Sequence, residues 1–100
     1  MISRDRLIEE IRTIFDPEIP IDIYELGLIY EVRIEDQTNV IVVMTLTTPN
    51  CPSAQALPAE VKDKIAALDG VEKVDVQITF DPPWDKSMMS EVALFSIGMF

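Results

Sequence analysis

Apolar positions in this chain switch between two spacings, and the switches mark its elements. Leu7, Ile8, Ile11, Ile14 and Phe15 fall on one stripe with Arg4, Glu9 and Arg12 elsewhere, which predicts a helix over Ser3 to Phe15. Asp16 precedes Pro17 and is steered out of the helical region, so the helix should end there. A turn-rich segment follows, stiffened by Pro17 and Pro20, and leads into Ile23-Tyr24-Glu25-Leu26-Gly27. From Leu28 to Glu35 the period drops to two: Leu28, Tyr30, Val32 and Ile34 on one side, Glu31, Arg33 and Glu35 on the other. Asp36 to Asn39 supplies turn residues and Val40 to Thr47 is rich in β-branched side chains, so the pair reads as a hairpin. Beyond the loop Thr47 to Asn50, a second helix is predicted from about Pro52 to Leu68. Leu57, Val61, Ile65 and Leu68 form its inner stripe and Gly70 lies just past its end. Pro58 predicts a kink or break near residues 54 to 58. Lys73 to Phe80 alternates again, with Val74, Val76, Ile78 and Phe80 inward, until Asp81-Pro82-Pro83-Trp84 stops the strand. A last helix from about Ser87 offers Met88, Val92 and Phe95 at i, i+4 and i+7, and its very apolar end (Phe95, Ile97, Met99, Phe100) carries more apolar surface than a lone small domain readily covers.

The predicted order is therefore α-β-β-α-β-α. It implies an α+β fold, a two-layer sandwich of a small three-stranded sheet with helices on one face. The helix between strands two and three should make a right-handed crossover if those strands run parallel. One hundred residues fit a single domain over residues 1–100. Eighteen acidic against eight basic residues give a net charge of -10, which repels phosphate backbones and anionic lipid surfaces alike. Nucleic-acid and membrane partners are not expected, and no apolar run approaches the ~20 residues of a membrane span. The charged, amphipathic start does not resemble a secretory signal. One cysteine cannot form an internal disulfide, which suits a reducing cytoplasm.

Absences narrow the chemistry. There is no histidine, so Ser-His and Cys-His couples are excluded, and the isolated glycines at 27, 70 and 98 make no phosphate-cradling loop. A four-cysteine zinc or iron-sulfur site cannot come from one chain. Soft-metal or nucleophilic chemistry must pass through Cys51, which precedes Pro52, a residue favoured at the first helical position. Cys51 at that N-cap would favour a thiolate; alternatively, it is a small buried hydrophobe. Thr47 and Thr48 are placed to donate to a thiolate or sulfide, or are strand filler. Asp16, Glu18, Asp22 and Glu25 gather on the first loop, either as oxygen ligands or as solvated charge. Asp81 and Trp84 stand on a rigid turn, as a pocket wall or partner anchor, or with the indole as a lid over the core. No general base accompanies the thiol, so an enzyme is not expected.

Four blocks recur together: Asp16-Pro17-Glu18, the stretch from Ile21-Asp22-Ile23 to Gly27-Leu28-Ile29-Tyr30, Thr47 with Cys51-Pro52, and Asp81-Pro82-Pro83-Trp84 followed by Met89-Ser90-Glu91. In this order they resemble the iron-sulfur cluster assembly family that includes SufT-type and PaaD-type proteins. The resemblance implies a non-catalytic, cytosolic maturation or targeting factor. Cys51 would transiently contact iron or a cluster bound for client proteins, and Asp16, Glu18, Asp22, Thr47, Asp81 and Trp84 would line or support the functional surface. The chain lacks the extra C-terminal cysteines of PaaD-type relatives. A cluster shared between two chains, or between chain and client, answers the ligand count. A homodimer is therefore expected, alongside client and assembly proteins as partners. The alternative is a metal-free adaptor that docks clients and assembly proteins through the Trp84 turn and the C-terminal helix.

Overall fold

The computed structural model describes residues 2–16, 21–46 and 56–96. Helix α1, Arg4–Ile11, is capped by Ser3, whose hydroxyl oxygen accepts the Arg6 N–H, and it buries Leu7 and Ile11. It is shorter than the apolar stripe suggests. Thr13 Oγ1 donates to the Glu10 carbonyl at 2.7 Å, and the Thr13 and Ile14 N–H groups bond three residues back, so the last turn tightens and closes. Ile14 is still buried, but Phe15 falls outside the helix, bridges to Asp22 and is exposed, contrary to its expected place on the stripe.

Strands β1 (Ile29–Glu35), β2 (Asn39–Met44) and β3 (Lys73–Ile78) form one sheet in the order β1-β2-β3. β1 and β2 are the predicted antiparallel hairpin, turned by Asp36 and Gln37, both at positive φ. β2 and β3 run parallel and are connected by α2, Ala56–Ala66. Pro58 lies within the described part of this helix, and residues 54 and 55 of the expected kink or break lie outside the described residues. Leu57, Val61 and Ile65 are buried as the stripe predicted, and Gly70 follows at positive φ.

α1 contacts β1 and α2, and α2 contacts β3, so the core lies between these helices and one sheet face. That face presents Val32, Val40, Val42 and Met44. Leu26, Leu28 and Ile23 from the preceding loop close its end. β3 is less covered than expected, with Ile78 and Phe80 exposed instead of inward. β3 is an edge strand, so its side chains have a lateral neighbour on one side only.

The C-terminal segment departs most from the predicted pattern. A short 3-10 turn, Lys86–Met88, precedes α3, Glu91–Ser96. Ser90 caps α3 by accepting the Ala93 N–H on its hydroxyl oxygen at 3.1 Å. The helical phase therefore restarts after Met88. Met89 and Ala93 face the core, while Val92 and Phe95 are exposed, in keeping with an apolar end larger than the domain can cover.

Candidate functional site

One end of the sheet collects the predicted site segments. Ile29, Met44 and Ile78 are paired across it, so the start of β1, the end of β2 and the end of β3 lie side by side. The loop bearing Asp22 enters there, the turn bearing Asp81 and Trp84 leaves there, and the chain continues from β2 toward Cys51. Thr47, Thr48 and Cys51 lie outside the described residues, as does Glu18. Their segment joins the end of the central strand to the start of α2. The proposed N-cap placement of Cys51 and Pro52 also lies outside the described residues.

The described residues of the site are held by backbone contacts. Asp16 is buried, and its N–H donates to the Ile21 carbonyl at 3.2 Å, while Ile23 N–H reaches back to the Ile14 carbonyl at 2.9 Å. Asp22 Oδ2 accepts the Glu25 N–H at 3.0 Å, the local turn that aspartate forms readily. Glu25 in turn pairs with Arg12 at 3.0 Å, and the same guanidinium lies 5.9 Å from the centre of the Tyr24 ring. The two carboxylates thus brace the loop. Among the described residues, no group of three or more histidine, cysteine, aspartate or glutamate side chains is arranged to hold a metal ion.

Trp84 is half-buried against the core, and its Nε1–H donates to the Leu26 carbonyl at 2.8 Å. This is the lid arrangement, with the polar end of the ring tied to the loop. Asp81 is exposed. Two further residues join the turn to the loop, and composition did not single them out. Tyr30 donates its hydroxyl to the Pro82 carbonyl at 2.8 Å and lies 3.5 Å from Met88 Sδ. Gly27, at φ +82, lies so close to Met88 that a Cβ would strike its carbonyl. The sequence signal for both was their place in the Gly27-Leu28-Ile29-Tyr30 block. Thr45, within the predicted strand Val40 to Thr47, is fully buried with no hydrogen-bond partner on Oγ1.

The chain belongs to the iron-sulfur cluster assembly protein family, whose model matches residues 4–78. It is 43% identical over 96 residues to an Fe-S protein maturation auxiliary factor of Porphyromonas gingivalis, covering 96% of this chain and 91% of that protein. The maturation auxiliary factor SufT of Staphylococcus aureus is 38% identical over 86 residues, 86% of this chain and 98% of its own. Among solved structures, a domain of unknown function, DUF59, from Bacillus anthracis superposes with a TM-score of 0.88 at 31% identity, covering 96% of this chain and 92% of that one. The Porphyromonas and Staphylococcus relatives carry the names of maturation factors, in agreement with the resemblance read from the four motif blocks. No helix of the described residues is long and apolar enough to cross a membrane.

Proposed function

We propose that this protein is a non-catalytic iron-sulfur maturation factor of the cytosol in which Cys51 transiently contacts iron or a cluster on its way to client proteins. Family membership carries the reading, because the family model spans most of the chain and Cys51 is its single thiol in a sequence without histidine. The cluster is cargo. One chain supplies one sulfur, so a second chain or a client must complete the ligand set, and the expected homodimer is one way to do so. Thr47 and Thr48 stand within four residues of Cys51 and would donate hydrogen bonds to thiolate or sulfide. Asp16, Glu18, Asp22, Asp81 and Trp84 would shape the surrounding surface. A lone cysteine suits a reducing compartment.

The test is anaerobic incubation of the full chain with ferrous iron and sulfide, read by charge-transfer absorption and bound iron. Cys51→Ser preserves volume but removes the soft ligand, and it should fold normally while losing most of the iron. Equal iron retention by the variant would sink the cargo role. The adaptor reading would then take its place, because Phe95 is 73% exposed on the C-terminal helix.

A further inference from the structure

We infer that the open edge of β3 pairs antiparallel with the same edge of a second copy of this chain, joining the two three-stranded sheets into one. This goes beyond the function proposed above, gives the homodimer expected there a surface, and does not depend on the chemistry of Cys51.

The two edges of the sheet differ. β1, at one edge, loses its regular register between Ile29 and Glu31, and its exposed side carries Glu31, Arg33 and Glu35. Bulges and charges are the devices that keep an edge strand from pairing with another chain. β3, at the other edge, pairs with β2 without a shift from Lys73 to Ile78 and contains no proline. Among the described residues, no strand lies on its outer side. The Thr79 N–H donates to the Met44 carbonyl at 2.9 Å and the Lys73 N–H to the Thr38 carbonyl at 3.4 Å, so the odd-numbered residues of this stretch turn their backbone groups toward β2. Alternation along the strand then turns the N–H and C=O groups of Val74, Val76 and Ile78 to the open edge, as a template for a further strand. Side chains at this edge are under-covered too. Val74 and Val76 are half-buried, Ile78 is 39% exposed, and Phe80, just past the strand, is 44% exposed.

The register selects the occupant. With a two-fold axis at Val76, Val76 faces Val76 of the second copy, Val74 faces Ile78 and Ile78 faces Val74. The three open residues of one copy then exchange both backbone bonds with the same three of the other. On the solvent face Lys73 stands opposite Thr79 and Asp75 opposite Gln77, so no like charges are opposed. On the other face Ile78 gains Val74 of the second copy as a cross-strand neighbour. A pairing centred on Asp75 would instead oppose the two Asp75 carboxylates. One centred on Val74 would draw on the Glu72 N–H, which is already given to the Thr38 carbonyl at 2.9 Å. The strand thus matches itself in one register, and that self-match points to a second copy in place of a client strand.

The test is sedimentation velocity of the full chain from about 0.01 to about 1 mM at about 0.15 M salt, where monomer should pass to dimer. Over the same series, hydrogen exchange at the Val74, Val76 and Ile78 amides should slow about tenfold. Ile78→Lys should weaken association about tenfold. Gln77→Asp, set opposite Asp75 of the second copy, should weaken it several-fold, whereas Gln77→Lys should strengthen it. Each variant is checked for unchanged urea unfolding. Phe95→Ser and Cys51→Ser should associate like the unmodified chain, so this result and the iron result fail separately. The inference is overturned by a chain that stays monomeric across the series, or by a dimer that Ile78→Lys and both Gln77 variants leave unchanged. It is also overturned if the three amides exchange equally fast at both ends of the series, or if Phe95→Ser abolishes the dimer, since α3 would then be the interface.

Discussion

Thr45 is a β-branched residue just past the end of the central strand, and its backbone is well used: its N–H donates to the Leu28 carbonyl at 2.8 Å. Its hydroxyl, by contrast, is buried without a partner. A buried polar group lacking its hydrogen bond costs about 1–3 kcal/mol. Thr45→Val keeps the branched shape and removes that group, so its urea midpoint should rise, by roughly 1 kcal/mol in stability. A midpoint that falls would mean the hydroxyl is satisfied in solution. Neither this residue nor the bracing role of Asp22 was legible in the sequence. The residue types present were readable there, whereas Thr45 is isolated by packing and Asp22 is engaged by the conformation of its own loop. Trp84 was legible as a candidate; its acceptor, Leu26, lies 58 positions away and no pattern announces it.

At the scale of elements, legibility followed how much each relied on its own repeat. The α2 stripe and the β1–β2 hairpin arose as the periodicity required, because each has enough repeats to fix its phase. α3 is short, and the capping serine at Ser90 sets its phase, so Met89 and Ala93 take the inner face, whereas the exposure of its apolar end at Val92 and Phe95 was legible from composition. Phe15 departed for a related reason, since α1 closes at Ile11 by a local threonine contact. The loop that joins α1 to β1 depends on Gly27 instead of on any repeat. Positive φ costs a residue with a Cβ about 1–2 kcal/mol, and the clash with Met88 adds a further overpacking cost of roughly 1–3 kcal/mol. Gly27→Ala should therefore lower stability by about 3 kcal/mol and loosen the C-terminal segment, measured by urea unfolding and by the emission of Trp84. Loss of less than about 0.5 kcal/mol would show that the loop and the Met88 turn are not in contact.

For the whole molecule, the net charge of -10 makes stability depend on salt. Within the chain, eighteen acidic side chains outnumber eight basic ones, so the net long-range interaction among charges is repulsive. Among the described residues the ion pairs lie on partly or fully exposed side chains, such as Arg6–Glu10 at 3.1 Å, and such pairs contribute little. Raising salt from about 0.01 to about 0.1 M shortens the screening length from about 30 to about 10 Å, which removes much of the long-range repulsion and leaves short contacts in place. The apo chain should then unfold at higher urea. The size of this charge was legible in the sequence alone, because it is a count. A urea midpoint that falls with added salt would mean that the ion pairs, Arg12–Glu25 at 3.0 Å among them, outweigh the repulsion.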